Sequence, residues 1–155
     1  LGKHILKATG YFHLQATKPD TLGHGLADSP VGLLAYVLEK YSLGSFGIWT
    51  VGRKDGKLNT FDKDELLRII TYYWMTNTIT ASCRIYKNTF YNKDSWPKTE
   101  ISDYKLPSKV PVAVQYFKNE VFTAPSALLK QSIQNLVRYS LVSEGGHFAS
   151  FENPV

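Results

Sequence analysis

The sequence predicts an α/β chain in which a mostly helical stretch, residues 1–108, precedes a βαβ unit of a parallel sheet, residues 109–155. Three observations predict it. Apolar residues recur at helical spacing at Leu34, Val37, Leu38 and Tyr41, and again at Leu66, Ile69, Ile70, Tyr73 and Trp74. At Val110 the pattern changes to VPVAVQYF, a β-branched apolar run of strand length. A helical block from Pro125 to Leu136 and a second apolar run from Val137 to Val142 then complete strand, helix, strand. That order requires two parallel strands joined by a right-handed crossover. Two strands do not make a stable sheet alone, so further strands are expected from a part of the protein outside this sequence.

Residues 12–31, with Pro19, Asp20, Gly23, Gly25 and Asp28, read as a long structured loop. Ser29 is placed to cap a helix whose first position is Pro30, where the missing N–H costs nothing. Gly44, Gly47, Gly52 and Gly56 mark a break from Ser42 to Thr60. The next helix opens at Asp62, and Glu65 three residues on completes a capping box. Its pattern continues toward Cys83 with a break near Asn77, and Tyr86 is expected at or just after its end. A polar, Pro-containing connector runs from Lys87 to Ser108.

Eighteen Lys and Arg against thirteen Asp and Glu leave a formal charge of +5. A nucleic-acid binder concentrates such an excess on one face. Here Lys18, Lys40, Arg53, Lys54, Arg68, Arg84, Lys105 and Lys118 are scattered, which is a mildly basic solvated surface. The single cysteine, Cys83, excludes an internal disulfide and any cysteine cluster for zinc. No apolar run approaches the roughly 18 residues of a membrane span, and LGKHILKATG is no signal peptide. Leu1 at the front and FENPV at the end read as cuts through a longer protein. An aromatic content of 14% suits a chain that lines an apolar pocket.

Ligands of an open parallel sheet bind beyond the carboxyl ends of its strands. Glu120 follows the first strand and His147 the second, within EGGHF, whose paired glycines allow the tight turn that brings the imidazole into that crevice. A carboxylate reaching the far ring nitrogen would fix the imidazole tautomer. A loop histidine and a surface acid are the plain alternatives. The sequence contains neither a Gly-x-Ser-x-Gly nor a Gly-x-Asp-x-Gly elbow. Gly44-Ser-Phe-Gly47 lacks the spacing and lies between helices.

Several longer strings, GYFHLQATKPDT from Gly10, DSPVGLLAYVLEK from Asp28, Tyr73-Trp74, Thr78-Ile79, RIYK from Arg84 and GGHFASFE from Gly145, run in order along nearly the whole chain. In these strings the chain resembles the microsomal and insect juvenile hormone epoxide hydrolases. The resemblance implies the C-terminal part of an α/β-hydrolase fold, with residues 1–108 as part of the helical lid and 109–155 as part of the core. It implies addition of water to an epoxide, giving a vicinal diol through a covalent aspartyl ester, with no metal or organic cofactor. Tyr11 and Tyr86 match the two lid tyrosines that grip the epoxide oxygen, His147 the base and Glu120 its acid. The surroundings of Glu120, Lys118-Asn-Glu120, are the least diagnostic of the four. The nucleophile is expected outside this sequence, and the chain alone is expected to be inactive and poorly folded.

The implied substrate is a small apolar epoxide, a juvenile hormone first and a xenobiotic arene or alkene oxide second. A catalytically dead binder of apolar ligands is the alternative from another class. The whole protein is expected at the endoplasmic reticulum, the microsomal membrane, through a segment not included here. With ten tyrosines in the chain, only the flanking motifs raise Tyr11 and Tyr86 above packing residues. His13 reads as structural or pocket-lining, His4 and His24 have no sequence partner, Lys18–Thr21 reads as loop-fixing, and Trp74 and Met75 read as core.

Overall fold

The computed structural model describes residues 9–46, 58, 61–91 and 109–152. Two short helices replace the expected loop: α1 (Gly10–Thr17) and α2 (Pro19–Asp28). Pro19 occupies the start of α2 and Asp20 its first turn, both favourable at a helix N-terminus. Gly23 looks like a turn former in sequence, yet it sits where α2 crosses a later helix. A Cβ built there would lie 2.5–2.7 Å from the Oγ1, Cβ and Cγ2 atoms of Thr80. Its helix-interior cost of about 1 kcal/mol is therefore the condition for close packing. Asp20 Oδ1 accepts from Arg84 Nε at 2.5 Å, so the Lys18–Thr21 segment ties two helices rather than fixing a loop.

Helix α3 (Pro30–Phe46) starts as expected, with the Ser29 hydroxyl accepting from Gly32 N–H at 3.1 Å. It carries through Ser42, Gly44 and Ser45, so the break begins later than the glycines suggested. Residues 47–57, 59 and 60 lie outside the described residues. Helix α4 (Lys63–Thr76) is capped by Asp62, whose carboxylate accepts from Asp64 and Glu65 N–H at 2.7 and 3.1 Å. Glu65 pairs with Arg68 one turn on. Asn77 stops α4 in the left-handed conformation, φ 52°, which asparagine tolerates better than most residues.

Helix α5 (Ile79–Tyr91) runs past the expected end, so Tyr86 lies in its interior. The reason is local, since RIYKNTFY holds no glycine or proline to stop it. The connector's residues 92–108 lie outside the described residues.

Leu26, Leu33, Ile70, Ile79 and Cys83 form the buried core of the helical part, with Leu34, Tyr36, Val37 and Tyr73 packed against it. Leu33 is wholly buried, worth about 1.5–3 kcal/mol for a leucine. Trp74 and Met75 are not core. They are 36% and 77% exposed, because α4 turns Leu66, Ile70 and Tyr73 inward and the next two positions rotate away.

Strand β1 (Val112–Asn119), helix α6 (Ser126–Ser132) and strand β2 (Leu136–Gly146) form the βαβ unit, its strands parallel as expected. Helix α7 (Ala149–Glu152) follows. Helix α6 is shorter than the Pro125–Leu136 block, and β2 extends four residues past Val142. Register is regular from Ala113–Arg138 to Phe117–Val142 and shifts on either side, so that Val112 pairs with Leu136 and Asn119 with Gly146. No described helix is long and apolar enough to cross a membrane.

The Gly23–Thr80 contact predicts that Gly23→Ala destabilises the folded protein by about 1–3 kcal/mol, the usual cost of overpacking. Adding Thr80→Ala, which removes two of the three crowding atoms, should recover part of that loss in urea denaturation, giving a coupling energy of nonzero size.

Candidate active site

The register shift at the strand ends builds the first half of the site. Asn119 lies two positions after Phe117, whereas Gly146 lies four positions after Val142. Without the shift that takes up those two extra residues on β2, His147 would overshoot the end of β1 by about two further strand positions, roughly 7 Å. With it, Glu120 and His147 each follow a paired residue and come side by side. His147 Nδ1 lies 2.7 Å from Glu120 Oε1. A carboxylate there demands a proton on Nδ1, which leaves the Nε2 lone pair free to take another. The same Oε1 accepts from Val121 N–H at 2.8 Å. Glu120 is 19% exposed and His147 55%, so the carboxylate is the sheltered partner and the imidazole the accessible one.

Both glycines of the pair are used. Gly145 has φ +89°, and a Cβ there would come 2.8 Å from Phe117 Cδ1. Gly146 is buried against the end of α3, where a Cβ would meet the carbonyl oxygens of Ser45 and Gly44 at 2.7 and 2.8 Å. His147 N–H donates to Gly44 O at 3.0 Å. Gly44 is equally confined, its own Cβ position lying 2.6 Å from Phe148 Cε2 and 3.2 Å from His147 Cβ. Tyr41, one turn earlier, stacks on Phe148 with centroids 4.3 Å apart.

Glu152 holds the far side of the histidine turn. Its Oε1 accepts from Phe148 N–H at 3.0 Å. Burial raises the Glu152 carboxyl above the ordinary value, and the nearby charge of Glu120 adds to the rise. The Ser45 hydroxyl and the Phe148 and Gly146 amides pull the other way. Ser45 is fully buried, and its hydroxyl, although close enough to favour the charged carboxylate, meets no full hydrogen-bond geometry.

The second half of the site is aromatic. Tyr11 on α1 and Tyr86 on α5 meet edge to face, centroids 5.8 Å apart and planes at 81°. Phe12 packs on Tyr86 and Phe90 at 6.0 and 4.7 Å. The Tyr86 phenol is pushed up to about 12, first by burial and then by its neighbour Tyr11. It therefore stays protonated, a neutral donor, across the physiological range. Tyr36 on α3 is likewise raised to about 12, chiefly by burial, and its hydroxyl accepts from Gln15 Nε2 at 3.0 Å. Lys40 Nζ stands 4.7 Å from the Tyr11 ring centroid and 4.9 Å from that of Tyr36.

The four residues singled out from sequence thus form two contacting pairs, Glu120 with His147 and Tyr11 with Tyr86. One helix joins the pairs. Lys40, which covers Tyr11, and Gly44, which receives the His147 amide, lie four residues apart on one face of α3, about 6 Å along its axis. His13 is exposed and touches Phe12, and His24 is exposed; His4 lies outside the described residues. Sequence reasoning missed Tyr36, Lys40, Gly44 and Glu152. The spacing 36, 40, 44 was a visible signal, since these positions share a helix face. Among the described residues no cluster of three or more His, Cys, Asp or Glu could hold a metal ion.

No protein-family model matches the chain. Among curated proteins it is 41% identical over 154 residues to the juvenile hormone epoxide hydrolase of Manduca sexta, covering 99% of this chain and 32% of that protein. It is also 41% identical over 155 residues to epoxide hydrolase 1 of Sus scrofa, covering 97% and 32%. Among solved structures, the juvenile hormone epoxide hydrolase of the silkworm Bombyx mori superposes with a TM-score of 0.81 at 39% identity, covering 94% of this chain and 36% of that one. The chain spans about a third of the length of the curated relatives it matches. Its fold is that of the C-terminal part of an α/β hydrolase.

Glu152 generates a pH prediction. Its folded value is raised, so the folded protein keeps a proton that the unfolded chain has released, and stability falls as pH rises through that window. Glu152→Gln retains an acceptor for Phe148 N–H and cannot ionise. Relative to the unsubstituted protein, its urea stability should therefore increase as pH rises from the ordinary carboxylate value through the raised one, then level off. A difference that stays constant with pH would contradict this.

Proposed function

We propose that this chain, which belongs to the family of juvenile hormone and microsomal epoxide hydrolases, carries the oxyanion grip and the hydrolytic base of a two-step epoxide hydrolase. The observation that supports it most is the 2.7 Å contact between His147 Nδ1 and Glu120 Oε1, at the ends of two parallel strands. The phenols of Tyr11 and Tyr86, paired one helical turn away along α3, supply the other function.

In the first step a carboxylate supplied outside this chain bonds to one epoxide carbon. The C–O bond breaks, its electron pair stays on the oxygen, and Tyr11 and Tyr86 hold that oxygen by hydrogen bonds while it takes a proton from solvent. Donors aimed at a charge that grows in the transition state accelerate the step more than they tighten ground-state binding. A phenol suits this task because, unlike a charged acid, it survives neutral in apolar surroundings. In the second step His147 Nε2 takes a proton from water, which attacks the ester carbonyl. The carboxylate leaves as it began, the diol departs, and the proton returns to solvent. Glu120 keeps the proton on Nδ1 and stabilises the imidazolium as it forms.

A juvenile hormone is the substrate class supported first, by the Manduca and Bombyx relatives. Xenobiotic epoxides are the second reading, favoured by equal identity to the porcine enzyme. Turnover of a juvenile hormone set against that of styrene oxide separates them. We place the whole protein at the microsomal membrane of the endoplasmic reticulum, attached through a segment not included in this chain. Retention in the pellet after alkaline carbonate extraction of microsomes is the expected result.

In the full-length protein, His147→Gln should permit ester formation and block its release, so that rapid quenching traps a stoichiometric covalent adduct. Absence of any adduct in that variant would refute the base assignment. Tyr86→Phe should slow ester formation by about 10²–10³, as expected for loss of one oxyanion donor, and Tyr11→Phe with Tyr86→Phe should abolish it. Unchanged single-turnover alkylation in the double variant would refute the role of the phenols and favour a non-catalytic binder of apolar ligands.

A further inference from the structure

Lys40 occupies a place that the two-step reaction does not by itself explain. Its ammonium lies between two phenol rings, 4.7 Å from the centroid of Tyr11 and 4.9 Å from that of Tyr36. Its side chain is 19% exposed, and its nearest anion is the 65% exposed carboxylate of Glu39, at 2.9 Å. The two rings differ in freedom. Tyr36 has its hydroxyl engaged by Gln15 of α1, so its ring is pinned between α1 and α3. Tyr11 is the ring whose hydroxyl the ring-opening step employs.

We infer that Lys40 is a positioning residue for ring opening: its ammonium, braced on the Tyr36 ring, orients the Tyr11 ring and favours the electron density that builds on it as its hydroxyl donates to the departing oxygen. The inference rests on the epoxide hydrolase reading given above. As the C–O bond breaks, the O–H bond of Tyr11 is drawn toward the new alkoxide and the phenol acquires phenolate character. A cation over the ring face attracts that ring more strongly than it attracts the neutral ground-state phenol. The interaction is therefore stronger in the transition state than before it, which is the condition for accelerating a step. The Lys40 side chain is only 19% exposed and both Tyr36 and Tyr86 are half-buried, and such partial desolvation strengthens a cation–π contact over one at an exposed site. Nothing in this geometry touches the imidazole, so ester hydrolysis does not share the benefit.

The test uses the full-length protein with styrene oxide as probe, and follows ester formation and ester breakdown separately by rapid quench. Lys40→Met keeps the length of the side chain and removes its charge. It should slow ester formation about tenfold and leave ester breakdown unchanged, while Lys40→Arg, which restores a cation that stacks on aromatic faces, should recover most of the rate. Formation that is unchanged in Lys40→Met, equal slowing of both steps, or failure of arginine to rescue would overturn the inference while leaving the function intact. If the unsubstituted protein formed no covalent ester at all, the epoxide hydrolase reading itself would fall, and this inference with it.

Discussion

The meeting of two glycines at the end of α3 is the constraint on which the site depends. Gly146 comes so close to the Gly44 and Ser45 carbonyls that no side chain fits at its Cβ position, and Gly44 is crowded in turn by His147 and Phe148. A Cβ at Gly146 would have to displace main-chain atoms, and one at Gly44 would have to displace the Phe148 ring and press on His147 Cβ. The hydrogen bond from His147 N–H to Gly44 O fixes the histidine backbone directly on the helix. A helix that otherwise belongs to the helical part, through Leu33 and its neighbours in the core, thereby becomes the mount for a loop that belongs to the sheet. Tyr41 stacking on Phe148, together with its tilted contact with Phe151, extends the same joint.

Charge is distributed over this frame according to exposure. The half-buried Tyr86 and Tyr36 phenols are pushed up to about 12, chiefly by burial, and stay neutral. The ionisable couple is at the strand ends, where His147 is more than half exposed and within reach of water. Glu120 carries the charge that an imidazolium needs, sheltered but satisfied by Val121 N–H. Glu152 is the costly member, a partly buried carboxylate whose ionisation burial opposes and whose backbone donors only partly compensate. Its compensation is structural, since it receives the amide that follows His147.

Much of this was legible in the residues, and the failures share a cause. The strand–helix–strand order, the caps at Ser29 and Asp62 and the stop at Asn77 are local signals, and the structure has all of them. Glu120 and His147 could be paired from strand order because a parallel register puts successive strand ends together. Residues 12–31 were misread because Pro19, Gly23 and Gly25 punctuate a local pattern, whereas Gly23 answers to Thr80, 57 residues on. Trp74 and Met75 were misread because apolar character alone does not say which positions of a helix face inward. The register shift after Phe117 has no local signal beyond Gly145 and Gly146, whose need for a left-handed turn and a close approach appears only once α3 is in place.

On the proposed function, the arrangement separates two chemical tasks that are performed in sequence. Ring opening calls for neutral donors in an apolar setting, where a hydrogen bond to a growing alkoxide is strengthened by the low local polarity. Ester hydrolysis calls for a base that exchanges protons with water, which the same apolar setting would suppress by disfavouring the imidazolium. Placing the donors on α1 and α5 and the base on the β2 turn lets each keep its own solvation. The cost of separation is alignment, because both sets have to address the same few atoms of one substrate. Helix α3 meets that cost with three positions of one face, one turn apart: Tyr36 against Lys40, Lys40 against Tyr11, and Gly44 against the histidine. Its rigidity follows from backbone hydrogen bonding and from Leu33, buried on the adjoining face, rather than from any contact within the site. A helix spanning both environments is thus the means by which two differently solvated pairs stay in fixed register.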